Sequence, residues 1–368
     1  MTRNAPLVVL CVNSGSSSLK TALFEVGTTS EQALARIAQP VHSGDYTAAL
    51  DAAIASFDER GLPTPGAAGH RVVHGGPRHS DPVVVDNDLL AELREVAGFA
   101  PLHMPAAIAG IEAIGARWDI PQVACFDTGF HHLMPEVAQR LPLPESLWDE
   151  GVRRYGFHGL SYEYVVGALD PAQLGRAVIA HLGNGASMAA VRGGRSLDTT
   201  MGLTPAGGLV MSTRPGDLDP GVAVYLLREK GYDADRLERL IDRESGLVAL
   251  SGGTSDMKTL IDERDHEPRA TLAVDAFCYH ARMHVGALAT VLGGLDTVVF
   301  TGGIGEKSAV VRAEICRGLQ HLGVELDDQL NEAHDSVISA PGSDCVVRVV
   351  HTDEDLVIAR HTTALVAR

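Results

Sequence analysis

The stretch LVVLCVNSGSSSLK, residues 7–20, decides the fold that we expect for this chain. Leu7 to Val12 is apolar and rich in β-branched residues, Ser14 to Ser18 is a turn-forming cluster, and Leu19 to Val26 alternates apolar and polar positions. The pattern predicts two strands joined as a hairpin. Its tip carries a combination of groups that is unusual for a hairpin turn.

The predicted hairpin tip is a candidate phosphate-binding loop. Asn13, the serine hydroxyls that include Ser16 and Ser18, the backbone N–H groups around Gly15, and Lys20 suit phosphate oxygens. The loop is not a Walker loop, because the second glycine of that motif is absent and a strand follows instead of a helix. A serine-rich surface turn is the alternative.

A second hairpin of the same kind begins about 170 residues further along the chain. Ala177 to Leu182 reads as a strand, Gly183-Asn184-Gly185 as a turn, and Ser187 to Val191 as a returning strand. Its glycines let the backbone approach a ligand closely, although an ordinary Asn-Gly turn explains the motif equally well. Two similar hairpins favour a duplicated α/β architecture.

The remaining patterns also favour a mixed α/β chain. Helical patterns near 89–96 and 106–117 precede a strand at 122–126, and Asp219 with Pro220 starts a helix over 221–230. A buried strand at 295–300 is predicted to lead into a glycine loop at 301–306 and then into a helix.

Composition excludes several classes of protein. The 368 residues carry a net charge of −17, the wrong sign for binding nucleic acid through bulk charge. The five cysteines form no disulfide or zinc pattern, and no apolar stretch suits a signal peptide or a membrane span. We expect a cytoplasmic protein with neither nucleic-acid nor membrane partners.

Four polar residues lie in glycine-rich loops beside apolar strands, namely Arg71, Asp127, His158 and Arg214. Phosphoryl transfer spreads negative charge over the equatorial oxygens, which arginines and a histidine donor stabilise. Taken singly, a loop arginine is usually a surface or structural ion pair, and a histidine is usually a packing residue. Only their convergence points to a site.

Other site classes fit less well. His266-Glu267 lacks the second histidine of a zinc helix, Leu19 breaks the serine-hydrolase elbow, and Ser308 takes the place of the third dinucleotide glycine. These departures disfavour a metallohydrolase, a serine hydrolase and a dinucleotide-binding enzyme.

Taken together, the motifs resemble the acetate kinase family, within the superfamily of sugar kinases, heat-shock ATPases and actin. The resemblance extends over nearly the whole chain. It rests on residues 12–20, 70–76, 101–103, 126–128, 153–159, 181–187, 201–220, 302–306 and 352–360.

The resemblance implies an α/β fold of two duplicated actin or ribonuclease H-like domains. Each would hold a mixed five-stranded sheet flanked by helices, with the active-site cleft between the domains. The N-terminal, acceptor-side domain would comprise residues 1–129 and 357–368, and the nucleotide-binding domain residues 130–356. A homodimer is implied as well.

The implied reaction is reversible, Mg²⁺-dependent transfer of the ATP γ-phosphate to a short-chain carboxylate, giving an acyl phosphate and ADP, with Mn²⁺ as a possible substitute for Mg²⁺. For acetate the product is acetyl phosphate, a precursor for acetyl-CoA. The implied catalytic residues are Asp127, His158, Arg214 and Arg71. Because a carboxylate acceptor is already ionised at neutral pH, we expect Asp127 to orient or to bind metal rather than to abstract a proton.

The resemblance also implies binding residues. Arg71, Val73, Leu102, His103 and Pro205 would bind the acceptor, although ordinary core packing explains the apolar ones equally well. Asn13 and Glu354 would hold Mg²⁺, a sparse set that suits this ion. The nucleotide would contact Lys20, Ser16, Ser18, His181, Leu182, Gly183, Asn184, Gly185, Asp256, Met257, Lys258, Gly303, Ile304, Gly305, Glu306 and Lys307.

The chain departs from the usual family pattern at Met104, Pro215, Lys258 and Lys307, and it is shortened before Gly69. These departures bear on nucleotide contacts and acceptor size, because lysine is a point donor where arginine is a planar fork. Propionate or butyrate as acceptor, pyrophosphate in place of ATP, and a non-catalytic nucleotide-sensing protein are the alternatives.

Overall fold

A computed structural model describes residues 6–15 and 18–367 of the chain. Its strands are β1 (Leu7–Ser14), β2 (Ser18–Val26), β3 (Glu31–Pro40), β4 (Ala67–Val72), β5 (Val83–Val84), β6 (Gln122–Phe126), β7 (Arg176–Leu182), β8 (Ala186–Arg192), β9 (Arg195–Thr199), β10 (Thr297–Thr301) and β11 (Val346–Val349).

The helices begin with α1 (Tyr46–Glu59), α2 (Asn87–Glu95), α3 (Met104–Arg117), α4 (Glu136–Gln139), α5 (Glu145–Asp149), α6 (Gly159–Ala168), α7 (Pro171–Leu174) and α8 (Pro220–Glu229). They continue with α9 (Ala234–Arg243), α10 (Gly246–Ser251), α11 (Met257–Glu263), α12 (Pro268–Leu292), α13 (Gly302–Lys307), α14 (Ala309–Cys316), α15 (Asp328–Glu332) and α16 (Glu354–Val366). Short 3₁₀ turns lie at Ala97–Phe99, Gly129–His131 and Gln320–Leu322.

Contacts between residues divide the chain into two compact units. The first unit runs up to His132 and also takes in Gly159–Tyr164 and the C-terminal segment from Asp353. The second unit comprises Leu133–His158 and Val165–Thr352. The functional boundaries implied by the sequence, 1–129 with 357–368 and 130–356, stay a prediction.

The first unit is built on one mixed sheet with the strand order β3-β2-β1-β4-β6-β5. β1 and β2 pair antiparallel, as the opening stretch of sequence predicts, whereas β1, β4 and β6 run parallel. The resemblance implies five strands, and the structure adds β5, a two-residue strand paired antiparallel with β6 at the sheet edge.

Alternate residues along β1 of the first sheet pack into two hydrophobic cores, one on each face of the sheet. Leu10 and Val12 of β1 face a cluster completed by α1 and α3, and Val9 and Cys11 face one completed by α16. These four side chains are at most 1% exposed. Helices therefore cover both faces of the sheet, and the free ends of its parallel strands are left at one edge.

The second unit repeats this design. Its sheet has the order β11-β10-β7-β8-β9, with β7, β8 and β9 antiparallel in sequence and β7, β10 and β11 parallel. Strand for strand this matches β6-β4-β1-β2-β3. The predicted α/β class and the predicted duplication are confirmed.

Most predicted elements are confirmed within a few residues, including α8, whose Asp219 accepts a hydrogen bond from the Gly221 N–H at 2.9 Å. The prediction of a loop at 301–306 is wrong. Helix α13 follows β10 directly, and the Glu306 carboxylate accepts a hydrogen bond from the Gly302 N–H at 3.0 Å. Arg312 donates to the carbonyls of Gly305 and Glu306 at its other end. Tertiary contacts thus override the low helix propensity of three glycines.

All five cysteines are free and buried. Over residues 6–15 and 18–367, no helix is both long enough and apolar enough to cross a membrane.

Candidate functional site

The first group of predicted site residues lies at the carboxyl ends of parallel strands. Asn13 is near the end of β1, and Asp127 directly follows β6. Arg71 is near the end of β4, so the prediction of a loop at Arg71 is wrong. Because these strands are parallel neighbours, their ends meet at one edge of the sheet, where ligands bind in open α/β sheets. Glu354, the first residue of α16, joins them.

Arg71 and Asp127 form a buried, forked ion pair. Arg71 Nη2 donates to Asp127 Oδ2 at 2.5 Å, and Nε lies 3.0 Å from both carboxylate oxygens. The Asp127 side chain is 1% exposed and that of Arg71 20%. The Asp127 carbonyl also accepts the Gly159 N–H at 2.8 Å, and a Cβ on Gly159 would overlap that carbonyl. Asp127 is thus fixed on both its side chain and its backbone.

Two further oxygens face the same guanidinium. Asn13 Oδ1 lies 3.4 Å from Arg71 Nη1, and Glu354 Oε2 lies 3.8 Å from Nε. Burial lowers the pKa of Arg71, but the carboxylates of Asp127 and Glu354 act against burial, and the pKa ends above its ordinary value. Arg71 is therefore a permanent cation held among oxygen ligands.

The amide and carboxylate oxygens around Arg71 are hard ligands of the kind that Mg²⁺ prefers. Among the described residues, no three His, Cys, Asp or Glu side chains gather into a metal cluster. Mg²⁺ usually takes one or two protein carboxylates and completes its shell with water and substrate phosphate. The pair Asn13 and Glu354 fits such a site by the chemistry of its donors.

Sequence reasoning missed the acidic neighbours of Glu354. Arg36 on β3 bridges Asp353 at 2.5 Å and Asp355 at 3.0 Å. Burial raises the pKa of Asp355 to about 6, although Arg36 acts against it. No motif signals this arrangement, because Arg36 and the two aspartates are more than 300 positions apart in sequence.

The hairpin tip brings Lys20 beside Asn13, since the two are paired across β1 and β2. Paired residues share one face of the sheet, and the Lys20 side chain is exposed there. The Gly15 N–H donates to the Ser18 carbonyl at 2.8 Å, and the Tyr46 hydroxyl donates to the Gly15 carbonyl at 2.9 Å. The predicted contact at Ser16 lies outside the described residues.

The second group of site residues lies at the matching edge of the second sheet. His158 directly precedes α6 in the left-handed backbone region, with φ 58°. Its ring stacks on His181 with centroids 4.2 Å apart, and its Nδ1 lies 2.8 Å from Ser187 Oγ. Ser187 was not predicted as a site residue. The alternation of β8 could have pointed to it, because it pairs with His181 across the hairpin.

Arg214 and His158 converge on Gly185. A Cβ built on Gly185 would lie 3.1 Å from His158 Nε2 and 3.7 Å from Arg214 Nη1. Arg214 Nη1 also donates to the Pro205 carbonyl at 2.9 Å. The bare Cα of Gly185 therefore leaves room beside a guanidinium nitrogen and an imidazole nitrogen.

The predicted nucleotide segments fall into two sets. A Cβ on Gly183 would lie 3.8 Å from His181 Nε2 and 3.9 Å from the Gly303 nitrogen, so the hairpin loop and the start of α13 are neighbours. Ile304, Gly305 and Lys307 belong to the same short helix, and Leu182 and Asn184 to the same hairpin. The Glu306 carboxylate is hydrogen-bonded within the protein, to the backbone N–H groups of Gly302 and Thr352 and to the His351 ring.

The segment at residues 256–258 forms contacts within its own helix. Asp256 caps α11 by accepting from the Thr259 N–H and hydroxyl, and Lys258 pairs with Asp262 at 2.8 Å. Met257 is buried. The nucleotide role of the segment stays a prediction.

The predicted acceptor-binding residues are distributed over both units. Val73 follows β4 and is buried, whereas Leu102 and His103 precede α3 and are half-buried. Pro205 belongs to the second unit. Among these residues, the Pro205 carbonyl has a described contact with a predicted catalytic residue, Arg214.

Comparison with known proteins agrees with this fold. The profile of the acetokinase family matches residues 36–360. An acetate kinase of Rhodopseudomonas palustris (strain ATCC BAA-98 / CGA009) is 43% identical over 395 residues, covering 97% of this chain and 98% of the relative.

Two solved structures are also similar. The crystal structure of Porphyromonas gingivalis acetate kinase superposes with a TM-score of 0.84 at 35% identity, covering 98% of this chain and 99% of that one. A propionate kinase from Francisella tularensis subsp. tularensis SCHU S4 gives a TM-score of 0.88 at 33% identity, covering 97% of this chain and 99% of that one. A family match over most of the length, together with relatives this similar end to end, means that the chain belongs to the acetokinase family.

Proposed function

We propose that this member of the acetokinase family is an acetate kinase. It transfers the γ-phosphoryl group of ATP directly and reversibly to acetate, giving acetyl phosphate and ADP. An acetate oxygen attacks the γ-phosphorus while the bond from that phosphorus to the β,γ-bridging oxygen breaks. The observation that carries the proposal is the convergence of His158 and Arg214 on Gly185.

The Arg71 and Asp127 pair supports an acceptor role for the first group. Acetate is ionised at neutral pH, so its attack needs no proton removal. Arg71 binds the carboxylate or the transferring phosphoryl group through its remaining N–H donors, and Asp127 holds the guanidinium in orientation. Val73, Leu102 and His103 of the same unit, with Pro205, belong to the acceptor site on the family pattern.

His158 and Arg214 act on the transferring group. Negative charge spreads over its three equatorial oxygens in the transition state, and fixed donors beside Gly185 stabilise that charge without reorganising. Loss of one such donor typically costs about 100- to 1000-fold in turnover.

Asn13 and Glu354 would hold Mg²⁺, and the ion would neutralise phosphate charge when bound. Lys20, beside Asn13 in the hairpin, donates to nucleotide phosphate. ATP then lies against the hairpin loop from His181 to Gly185 and against Gly303 to Lys307, with the residues from Asp256 to Lys258 as a further contact.

The test is coupled ADP release with ATP and Mg²⁺ on acetate, propionate and butyrate, with a no-acid control. Highest kcat/KM on acetate is expected. The similarity to a propionate kinase supports the longer acid as the second candidate, and one methylene is worth only about 1–3 kcal/mol in a pocket. No acid-dependent turnover, with ATP still bound by calorimetry, would indicate a nucleotide-sensing protein instead.

The proposal includes a cytoplasmic homodimer. Helices α8 and α12 of the second unit expose large apolar side chains: Tyr225 is 49% exposed, Tyr279 57% and Leu272 54%. Exposed apolar side chains that form one patch commonly lie at an interface between chains, and we propose that these side chains do so. Light scattering should give twice the mass of one chain. For Tyr225→Lys or Tyr279→Lys the measured mass should fall to that of a single chain. A monomeric wild type would contradict this part.

A further inference from the structure

Ser187 lies deep in the second unit, opposite His181 on the antiparallel pair β7 and β8. Its side chain is 0% exposed, although it has an oxygen that must be hydrogen-bonded. Ser187 Oγ lies 2.8 Å from His158 Nδ1, across 29 positions of sequence. A polar side chain that is fully buried and hydrogen-bonded to a predicted catalytic histidine is suited to hold that histidine in position.

The backbone conformation and two described side-chain contacts hold the His158 ring. The backbone is in the left-handed region at φ 58°, which is strained for a residue other than glycine, so surrounding contacts must hold it there. The ring stacks on His181 with planes 18° apart, and Ser187 Oγ engages one ring nitrogen. The other nitrogen, Nε2, faces the bare Cα of Gly185 with Arg214 beside it.

We propose that Ser187 is a positioning residue that selects the protonation state of His158. Its hydroxyl donates to Nδ1, which leaves the ring proton on Nε2 and makes that nitrogen a donor toward the transferring phosphoryl group. This inference rests on the proposed function of His158.

The chemistry of imidazole links the role of Nδ1 to the role of Nε2. A neutral imidazole has one donor and one acceptor nitrogen, and the partner of one nitrogen sets the role of the other. If Nδ1 carried the proton, Nε2 would present a lone pair to anionic oxygen and would repel it. When the Ser187 hydroxyl donates to Nδ1, as proposed, it occupies the lone pair of that nitrogen, and the ring proton stays on Nε2 without added charge.

The kinetic test uses Ser187→Ala, Ser187→Thr as the conservative rescue, and Ser196→Ala as the matched control. Ser196 is likewise a buried serine, 1% exposed, on the adjacent part of the same sheet. We expect kcat to fall about 10- to 100-fold in Ser187→Ala, the usual cost of losing a residue that orients another. KM for ATP and acetate should change less than about threefold. Ser187→Thr should retain most of kcat.

The pH profile separates positioning from structural damage. Imidazolium carries protons on both nitrogens, so lowering the pH restores an Nε2 donor whatever Ser187 does. Relative to wild type, kcat of Ser187→Ala should therefore recover as pH falls. A uniform loss at every pH, or the same loss in Ser196→Ala, would overturn the proposal.

A spectroscopic measurement on the wild-type protein is independent of folding in the variants. Ring ¹⁵N spectra with labelled histidine, assigned by the signals that His158→Gln removes, should show a protonated Nε2 and an unprotonated Nδ1. The opposite tautomer would overturn the proposal. Failure of the proposed function is distinguishable, since it would show as a wild-type protein inactive on every acid whatever the tautomer.

Discussion

The bare Cα of Gly185 determines how much room His158 and Arg214 have beside them. Its φ is not in the left-handed region, so backbone freedom is not the reason for glycine here. The reason is space, because a methyl group would lie 3.1 Å from His158 Nε2. At residue scale, the space left by the missing side chain of Gly185 is therefore as important to the site as His158 and Arg214.

Gly185→Ala should lower kcat about 10-fold or more, because displacement of reacting groups by a fraction of an ångström is costly. Stability should hardly change. Gly202→Ala is the control, since a Cβ there meets nothing within 4 Å. Steady-state kinetics and thermal melts of both variants test this prediction. An equal loss of kcat in the two variants would refute the steric argument.

Arg214→Ala should lose at least about 100-fold in kcat, because it removes a donor to the transition-state charge. ATP affinity should survive, which calorimetry would measure. An unchanged turnover number would remove Arg214 from the mechanism. Arg282→Ala is a matched control, since Arg282 likewise donates to backbone carbonyls, those of Glu314 and Ile315, away from the predicted site residues.

Sequence could indicate the site residues singly but not their partners. Arg71 and Asp127 were recognisable as polar residues beside apolar stretches, yet their pairing depends on β4 and β6 being parallel neighbours. Strand order is a long-range property that local patterns do not carry. Ser187 was missed for the same reason, because its significance comes from His158, 29 positions away.

At the scale of elements, α16 carries Glu354 and must pack closely on the first sheet. Gly69 of β4 makes this possible, since a Cβ there would overlap Thr362 and approach Ile358 Cγ2 to 2.5 Å. A helix displaced from β4 would also displace its first residue, Glu354.

Gly69→Ala should reduce the free energy of unfolding by about 1–3 kcal/mol, the usual cost of overpacking. Urea unfolding measures it. In Gly167→Ala, on an exposed position of α6 with nothing within 4 Å, the same methyl should be neutral or stabilise by about 0.5–1 kcal/mol. If both variants lost stability equally, close packing at Gly69 would not be the cause.

The strands and helices that were predicted correctly could be recognised because hydrophobic periodicity reflects burial within one element. The prediction failed at α13, where three glycines in six residues predict a loop. Its helical form depends on Glu306 at one end and on buried Arg312 at the other. Arg312 is 0% exposed and also donates to Asn331 and His334. Contacts of this kind are invisible to local propensity.

At the scale of the molecule, two buried titratable groups make stability depend on pH in opposite senses. Burial lowers the pKa of His70 to about 4, although its bond to Gln122 acts against this. His70 Nδ1 has no hydrogen-bond partner among the described residues. Because the folded pKa lies below the ordinary value near 6.5, His70 contributes stability that is present above that value and lost as pH falls toward 4.

Asp355 has the opposite effect on the pH dependence of stability, since its folded pKa of about 6 lies above its ordinary value near 3.9. Its contribution is present at low pH and lost as pH rises through 6. It is 25% exposed, so its effect is the smaller.

Wild-type protein should therefore lose stability between pH 6.5 and pH 4, by at most about 3 kcal/mol from His70. His70→Gln should flatten this dependence, and Asp355→Asn should steepen it. Urea unfolding at half-unit pH steps is the measurement. A variant without His70 that kept the wild-type slope would contradict the assignment.

The five buried thiols can report local and global unfolding of the protein without an added probe. Burial raises the pKa of Cys278 and of Cys345 to about 12, so neither is a thiolate at neutral pH. A thiol reagent can modify them only in molecules that have locally or globally unfolded. Cys11 and Cys125 belong to the first unit, and Cys278, Cys316 and Cys345 to the second. Peptide mapping of the labelling rates would then give a separate opening free energy for each unit, from unmodified protein in the absence of denaturant.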